Sequence, residues 1–200
     1  MKAPYVFFDD EFHKYYIKGV EYPSVTEICE PISFKKLDAL NKSLVERAAQ
    51  RGHIIHEFIS NFFIEQDESL VDEIPGDLVG YAYAFLNWYR TYKPTVLYSE
   101  LLLGDDELGF CGTCDIIVVI DNTIILIDTK TTANLDKKYL SAQLSGYKQL
   151  LAKRGILVDK TMALHLKKDQ TWNFCEITPD DEWFSLLLKH NKKMRSKYGK

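Results

Sequence analysis

Two apolar runs, 114–120 (CDIIVVI) and 123–130 (TIILIDTK), stand on either side of Asp121-Asn122. Their β-branched content marks strands, and the Asp-Asn pair suits a tight hairpin turn. No other feature constrains the chain as strongly, because a hairpin fixes register. With a two- or four-residue loop centred on that bond, Ile120 faces Thr123 and paired positions sum to a constant. Asp115 then lands opposite Asp128, whereas an odd loop would put the two on opposite faces. Directly opposed residues have Cβ atoms roughly 4.5–5.5 Å apart, and like charges there are destabilising. Lys130 joins them, since Ile124, Leu126, Asp128 and Lys130 alternate onto one face. Two carboxylates in a poorly solvated place need a cation or a proton. Lys130 can neutralise one; a divalent metal satisfies both, and hard cations such as Mg²⁺ are held by one or two carboxylates with phosphate oxygens and water. On these residues alone, a buried Asp–Lys–Asp cluster that only sets register is the alternative.

The rest of the chain frames this hairpin. Aromatic arms around Asp9, Asp10 and Glu11 predict an N-terminal β-hairpin within residues 1–23. Ser24 and Glu27, after Pro23, fit a capping box opening a short helix that Pro31 ends. From about Leu37 to Ile64, Leu44, Ala48, Ile55, Phe58, Ile59, Phe62 and Phe63 recur at helical steps. An acidic, Pro-Gly-containing loop follows, then a second amphipathic helix through Leu78, Tyr81, Ala82, Phe85, Leu86 and Tyr89. Residues 94–178 hold three strands, a helix over about 136–153 and two more strands. Pro179 suits the first position of a basic terminal helix over 179–200. The expected fold class is therefore α/β: one domain, 1–200, with a central mixed β-sheet flanked by helices and an N-terminal β-hairpin, residues 24–93 forming its helical part.

Two hundred residues suit one domain, and 46% hydrophobic content is ample for one core. No apolar run is long enough to span a bilayer, and the N-terminus lacks a secretory apolar core. Four cysteines make no disulfide framework, which agrees with a reducing, cytoplasmic setting and no membrane partner. The net charge of −4 alone argues weakly against nucleic acid. Its distribution differs: Lys189, Lys192, Lys193, Arg195, Lys197 and Lys200 crowd the last stretch, and Lys35, Lys36, Lys42, Arg47 and Arg51 form another basic run. Each is either a solvated helix face or a phosphate-contacting surface.

Further residues carry candidate chemistry. Gly52 sits inside a helical pattern, where it costs about 1 kcal/mol relative to Ala, which suggests close approach of a neighbour. His56 follows one turn later, at the margin of the apolar stripe. Glu100 interrupts an apolar strand. Gln143 and Tyr147 share a helix face one turn apart. In order, Gly52…His56, Glu100, Gly112-Thr113-Cys114-Asp115, Asp128-Thr129-Lys130 and Gln143…Tyr147 resemble the RecB-like, phage-exonuclease branch of the PD-(D/E)xK nuclease superfamily. The N-terminal YPSVTEI is similar to the lead-in of phage exonucleases and of the mitochondrial genome-maintenance exonuclease. The likeness covers roughly residues 23–151; its motifs are weak singly but specific in sequence.

The resemblance implies a restriction-endonuclease-like core and a Mg²⁺- or Mn²⁺-dependent exonuclease acting on single- or double-stranded DNA ends in phage or bacterial recombination, repair or replication, with a strand-annealing or replication protein as partner. It implies that Asp115 and Asp128 hold metal with His56, that Lys130 positions water and steadies the phosphorane, that Glu100 assists, and that Gln143, Tyr147 and the basic Arg51 support the site and contact DNA. His53 departs from the threonine common after the glycine and leaves a second candidate histidine. The same residues fit a structure-specific or nonspecific endonuclease, or a DNA-binding module without activity. Cys111-Gly-Thr-Cys114 runs into a strand, with no second pair to complete a zinc site. With Cys29 and Cys175 it does not follow the arrangement of iron–sulfur nucleases, so no cluster is expected. No phosphate loop, nucleophile elbow or dinucleotide fingerprint supports small-molecule chemistry.

Overall fold

The hairpin that sets the register is present. In a computed structural model, which describes residues 5–32 and 42–198, Asp121 and Asn122 both take positive φ, 48° and 60°, the backbone of a two-residue turn matched to the strand twist. It joins β5 (Phe110–Ile120) to β6 (Thr123–Lys130), and Ile120 pairs with Thr123 as the sum rule requires. β4 (Thr95–Asp105) lies antiparallel on the other side of β5, and β6 runs parallel to β7 (Lys160–Leu166) after a helical crossover. β8 (Trp172–Glu176) closes a five-stranded mixed sheet in the order β4-β5-β6-β7-β8.

Helices cover both faces. On one lie α2 (Lys42–Glu65) and α3 (Val79–Tyr92); Ile55, Phe58, Phe62 and Phe85 bury themselves against Ile116, Val118, Ile125 and Ile127. Phe62 and Phe85 meet edge to face at 5.5 Å, a geometry that adds to area burial. The other face carries α1 (Val25–Cys29), α4 (Lys137–Lys153) and α5 (Asp181–Tyr198), packed on Ile117, Leu126 and Ala163. No helix among the described residues is long and apolar enough to cross a membrane.

The N-terminal hairpin, β1 (Val6–Asp9) with β2 (Lys14–Ile17), gains a third strand, β3 (Val20–Tyr22), too short to show a period. It docks on the start of β5 through Tyr15 Oη and Thr113 Oγ1, 3.2 Å apart. Ser24 caps α1 as expected, its Oγ accepting from Glu27 N at 3.0 Å. The reciprocal half of the capping box is absent, because the Glu27 carboxylate accepts from Arg195 of α5 instead. α1 stops at Cys29 and passes through Pro31 as a 3-10 turn.

Three expectations need correction. Pro179 does not start α5: Asp180 caps it, accepting from Trp183 N at 2.8 Å, and the helix begins at Asp181. Leu44 is not on a buried stripe; it is 60% exposed, and α2 buries its apolar face only from Ile55 onward. Residues 37–41 of the expected helix lie outside the described residues, as do Lys35, Lys36 and Lys200. Gly52 has no close neighbour; a Cβ there would meet nothing within 4 Å.

Candidate active site

The β5–β6 ladder holds its constant sum from Ile120↔Thr123 to Ile116↔Ile127 and stops one pair short of Asp115. The register up to Ile116↔Ile127 keeps Asp115 level with Asp128, and after burial the Asp115 charge further raises the pKa of Asp128, but the ladder pairing does not extend to the two aspartates. Beyond the last pair, Asp115 Oδ2 accepts from Thr129 N at 2.7 Å, filling the place of a ladder bond. Asp128 turns to Lys130, whose Nζ lies 2.6 Å from Oδ2. That contact is a short ion pair: burial raises the carboxyl's pKa, for the residue is only 2% exposed, and the ammonium lowers it against burial. Lys130 also donates to Gln143 Oε1 at 3.3 Å, and Gln143 donates to Tyr147 Oη at 3.5 Å.

Glu100 reaches the same spot from the edge strand. β4 breaks register between Val96 and Tyr98, and Glu100 itself takes φ +48°, a left-handed conformation that costs a non-glycine residue energy. Its Oε1 lies 3.1 Å from His56 Nδ1, and Asp115 Oδ2 lies 3.7 Å from the same nitrogen. His56, Glu100 and Asp115 each offer a ligand atom within 4.8 Å of the others. Asp128 stands outside that group, on the neighbouring strand. His53 is exposed and takes no part in it.

The electrostatics follow from crowding acids where water is scarce. Burial pushes Asp128 up to about 6, partly opposed by Lys130. Burial likewise raises Asp115, with His56 and Lys130 pulling against it. Burial disfavours the charged His56 ring, but Asp115 and Glu100 outweigh it and lift the pKa to about 9. For Lys130 burial again works against the charge, and Asp128 and Asp115 override it, so the amine stays protonated. His56 Nε2 lies 3.3 Å from the Thr129 carbonyl, which can only accept. That contact assigns the Nε2–H to Thr129 and leaves Nδ1 facing Glu100 and Asp115, to carry a proton or to coordinate a cation.

The donor set fits a hard divalent cation: one imidazole and two carboxylates within reach of one another, and beside them a buried carboxylate held by the Lys130 ammonium. The cysteines do not join it. All four are free thiols, and burial raises Cys29 and Cys111 to about 12 and Cys114 further.

Supporting residues surround the cluster. Gly112 admits the Tyr147 ring, for a Cβ there would sit 2.8 Å from Cε1. Arg51 donates from Nε to Thr131 Oγ1 at 3.3 Å and lies over the Tyr81 ring at 5.5 Å. Sequence reasoning missed His165, which pairs in register with Lys130 and donates from Nε2 to the Thr132 carbonyl at 2.6 Å. Its only signal was position within a strand, and its neighbours depend on β7 being parallel to β6.

No family model matches this chain, and no curated protein does. Among solved structures, the alkaline exonuclease LHK-Exo from Laribacter hongkongensis is similar at 12% identity and a TM-score of 0.41, over 88% of this chain and 94% of that one. LHK-Exo in complex with dAMP gives the same identity and TM-score over 89% and 93%. The protein SSO0001 is similar at 14% identity and a TM-score of 0.38, over 72% and 74%.

Proposed function

We propose that this chain is a Mg²⁺- or Mn²⁺-dependent deoxyribonuclease that hydrolyses phosphodiester bonds at DNA ends. The observation that carries the reading is the convergence of His56, Glu100 and Asp115 where the β5–β6 pairing ends, with Asp128 and Lys130 on the adjoining strand. His56, Asp115 and Glu100 would hold the cation, with Asp128 the next carboxylate. Such a cation, when bound, lowers the pKa of its water and offsets charge on a phosphate. Lys130 contributes a positive charge fixed by Asp128 and Gln143, suited to the extra negative charge of pentacovalent phosphorus. Tyr147, wedged against Gly112, sets where Gln143 and hence Lys130 stand. The motif resemblance adds the preference for DNA ends and a role in phage or bacterial recombination, repair or replication.

The test compares wild type, Lys130→Ala and Asp115→Ala on labelled single- and double-stranded linear DNA and on a closed circle, with Mg²⁺, Mn²⁺ or EDTA. Wild type should degrade the linear substrates only with metal. Lys130→Ala should lose on the order of 10²–10³ in rate, the effect of removing one transition-state donor. Equal cleavage by all three proteins would sink the assignment, and cutting of the closed circle would make the enzyme an endonuclease.

A further inference from the structure

A cleft of about 300 Å³ opens beside the site, walled by Tyr81, Thr132, Lys167, Lys168 and Asp169. Thr132 lies two residues beyond Lys130, so their Cα atoms are at most about 7 Å apart. The wall is firmly built. The β7–β8 turn is closed by Lys167 N donating to Thr171 O at 3.0 Å, and Asn87 of α3 donates to Gln170 O at 3.3 Å. Gly80 lets α3 press on the turn, since a Cβ there would lie 1.8 Å from Lys168 O. The Thr132 carbonyl is pinned by His165. Asp169, the one acid on the wall, is taken up by Thr171, whose N and Oγ1 donate to it at 3.1 and 2.5 Å. Lys167 and Lys168 thus stand in the lining with Tyr81, whose ring is backed by the Arg51 guanidinium, over a floor that includes Ala133 and Leu166.

We infer that this cleft is a subsite for one nucleotide of a nucleic-acid single strand flanking the scissile phosphate, with Lys167 and Lys168 on its phosphate and Tyr81 beside its base. The inference rests on the nuclease reading and deepens it. Cationic grooves with an aromatic platform are the chemistry that holds unpaired strands. The volume lies at the lower end of small-ligand pockets, about 300–1,000 Å³, which suits one nucleotide.

The experiment measures anisotropy of a short fluorescent single strand in EDTA across a salt series, so that binding is read without cleavage. Lys167→Ala/Lys168→Ala should bind about tenfold more weakly at moderate salt, and its salt slope should fall by about 1.4, the loss of two phosphate contacts on a single strand. Lys167→Arg/Lys168→Arg should restore both, and all three proteins should share one unfolding midpoint. Tyr81→Leu should weaken binding while Tyr81→Phe should not. A double alanine variant with wild-type affinity and slope overturns the subsite, even if wild type cleaves. Tighter binding of duplex than of single strand by wild type overturns the single-strand assignment. Binding that depends on the two lysines, without cleavage under any metal, upholds the subsite and removes the hydrolase; no binding at all removes both.

Discussion

Gly52 and Gly112 look alike in the sequence, each a glycine a few residues before a candidate ligand, yet their surroundings are opposite. A methyl group on Gly112 would press on Tyr147 at 2.8 Å, so Gly112→Ala should cost about 1–3 kcal/mol in urea unfolding through overpacking and should slow cleavage by displacing Gln143. Gly52 is in a helix interior with nothing within 4 Å, so Gly52→Ala should gain about 1 kcal/mol in the same measurement. A lowered midpoint for Gly52→Ala would mean that the helix needs the glycine after all. At this scale the sequence showed the residue types of the site but not their pairing. Register counting placed Asp115 and Asp128 at one level, because side-chain alternation is a local rule. It could not show that Asp115 would take the Thr129 amide with its side chain, in place of a backbone ladder bond, since that depends on the fold at the end of the pairing.

The elements themselves were largely legible, because turns, caps and periodicities are written in adjacent residues. How α5 docks was not. Its run of lysines and arginine reads as a phosphate-binding face, but Arg195 forks to Glu27 of α1 at 3.1 Å and Glu21 of β3 at 3.3 Å, and Lys192 donates to the Leu108 carbonyl. These partners are far apart in sequence and meet only through the fold. Hydrogen bonds from Lys14, and then from Arg195, hold the Glu21 carboxyl below its ordinary 4.5, against the opposing effect of burial. A depressed folded-state pKa contributes stability that is present above the unfolded value and is lost as pH falls. Wild type should therefore melt above Glu21→Gln near neutral pH, and the gap should close as pH drops below about 4.5. A gap independent of pH would show that the contact does not depend on the carboxylate charge.

For the whole molecule, Asp115, Asp128 and Glu100 gather three acids where the β5–β6 pairing ends, against the two cations Lys130 and His56. A cation that binds only the folded form should raise the melting temperature of wild type, by an amount equivalent to about 2.7 kcal/mol at a hundred times its Kd. Asp115→Asn/Glu100→Gln should show no such rise in Mg²⁺ or Mn²⁺, and an equal rise would place the cation elsewhere. The same edge strand that delivers Glu100 also bears on self-association. Val96 pairs with Val118 and Tyr98 with Ile117, so Leu97 is an extra residue without a partner, and Leu97 and Tyr98 are 41% and 42% exposed. An extended rim carrying such side chains is a template on which another chain can add a strand. Here the inserted residue and the left-handed Glu100 spoil the spacing of free amide and carbonyl groups along that rim, and bulges of this kind are a known protection against such growth. The distortion that aims a carboxylate at His56 thus also discourages fibre-like stacking, and deletion of Leu97 should appear first as concentration-dependent light scattering.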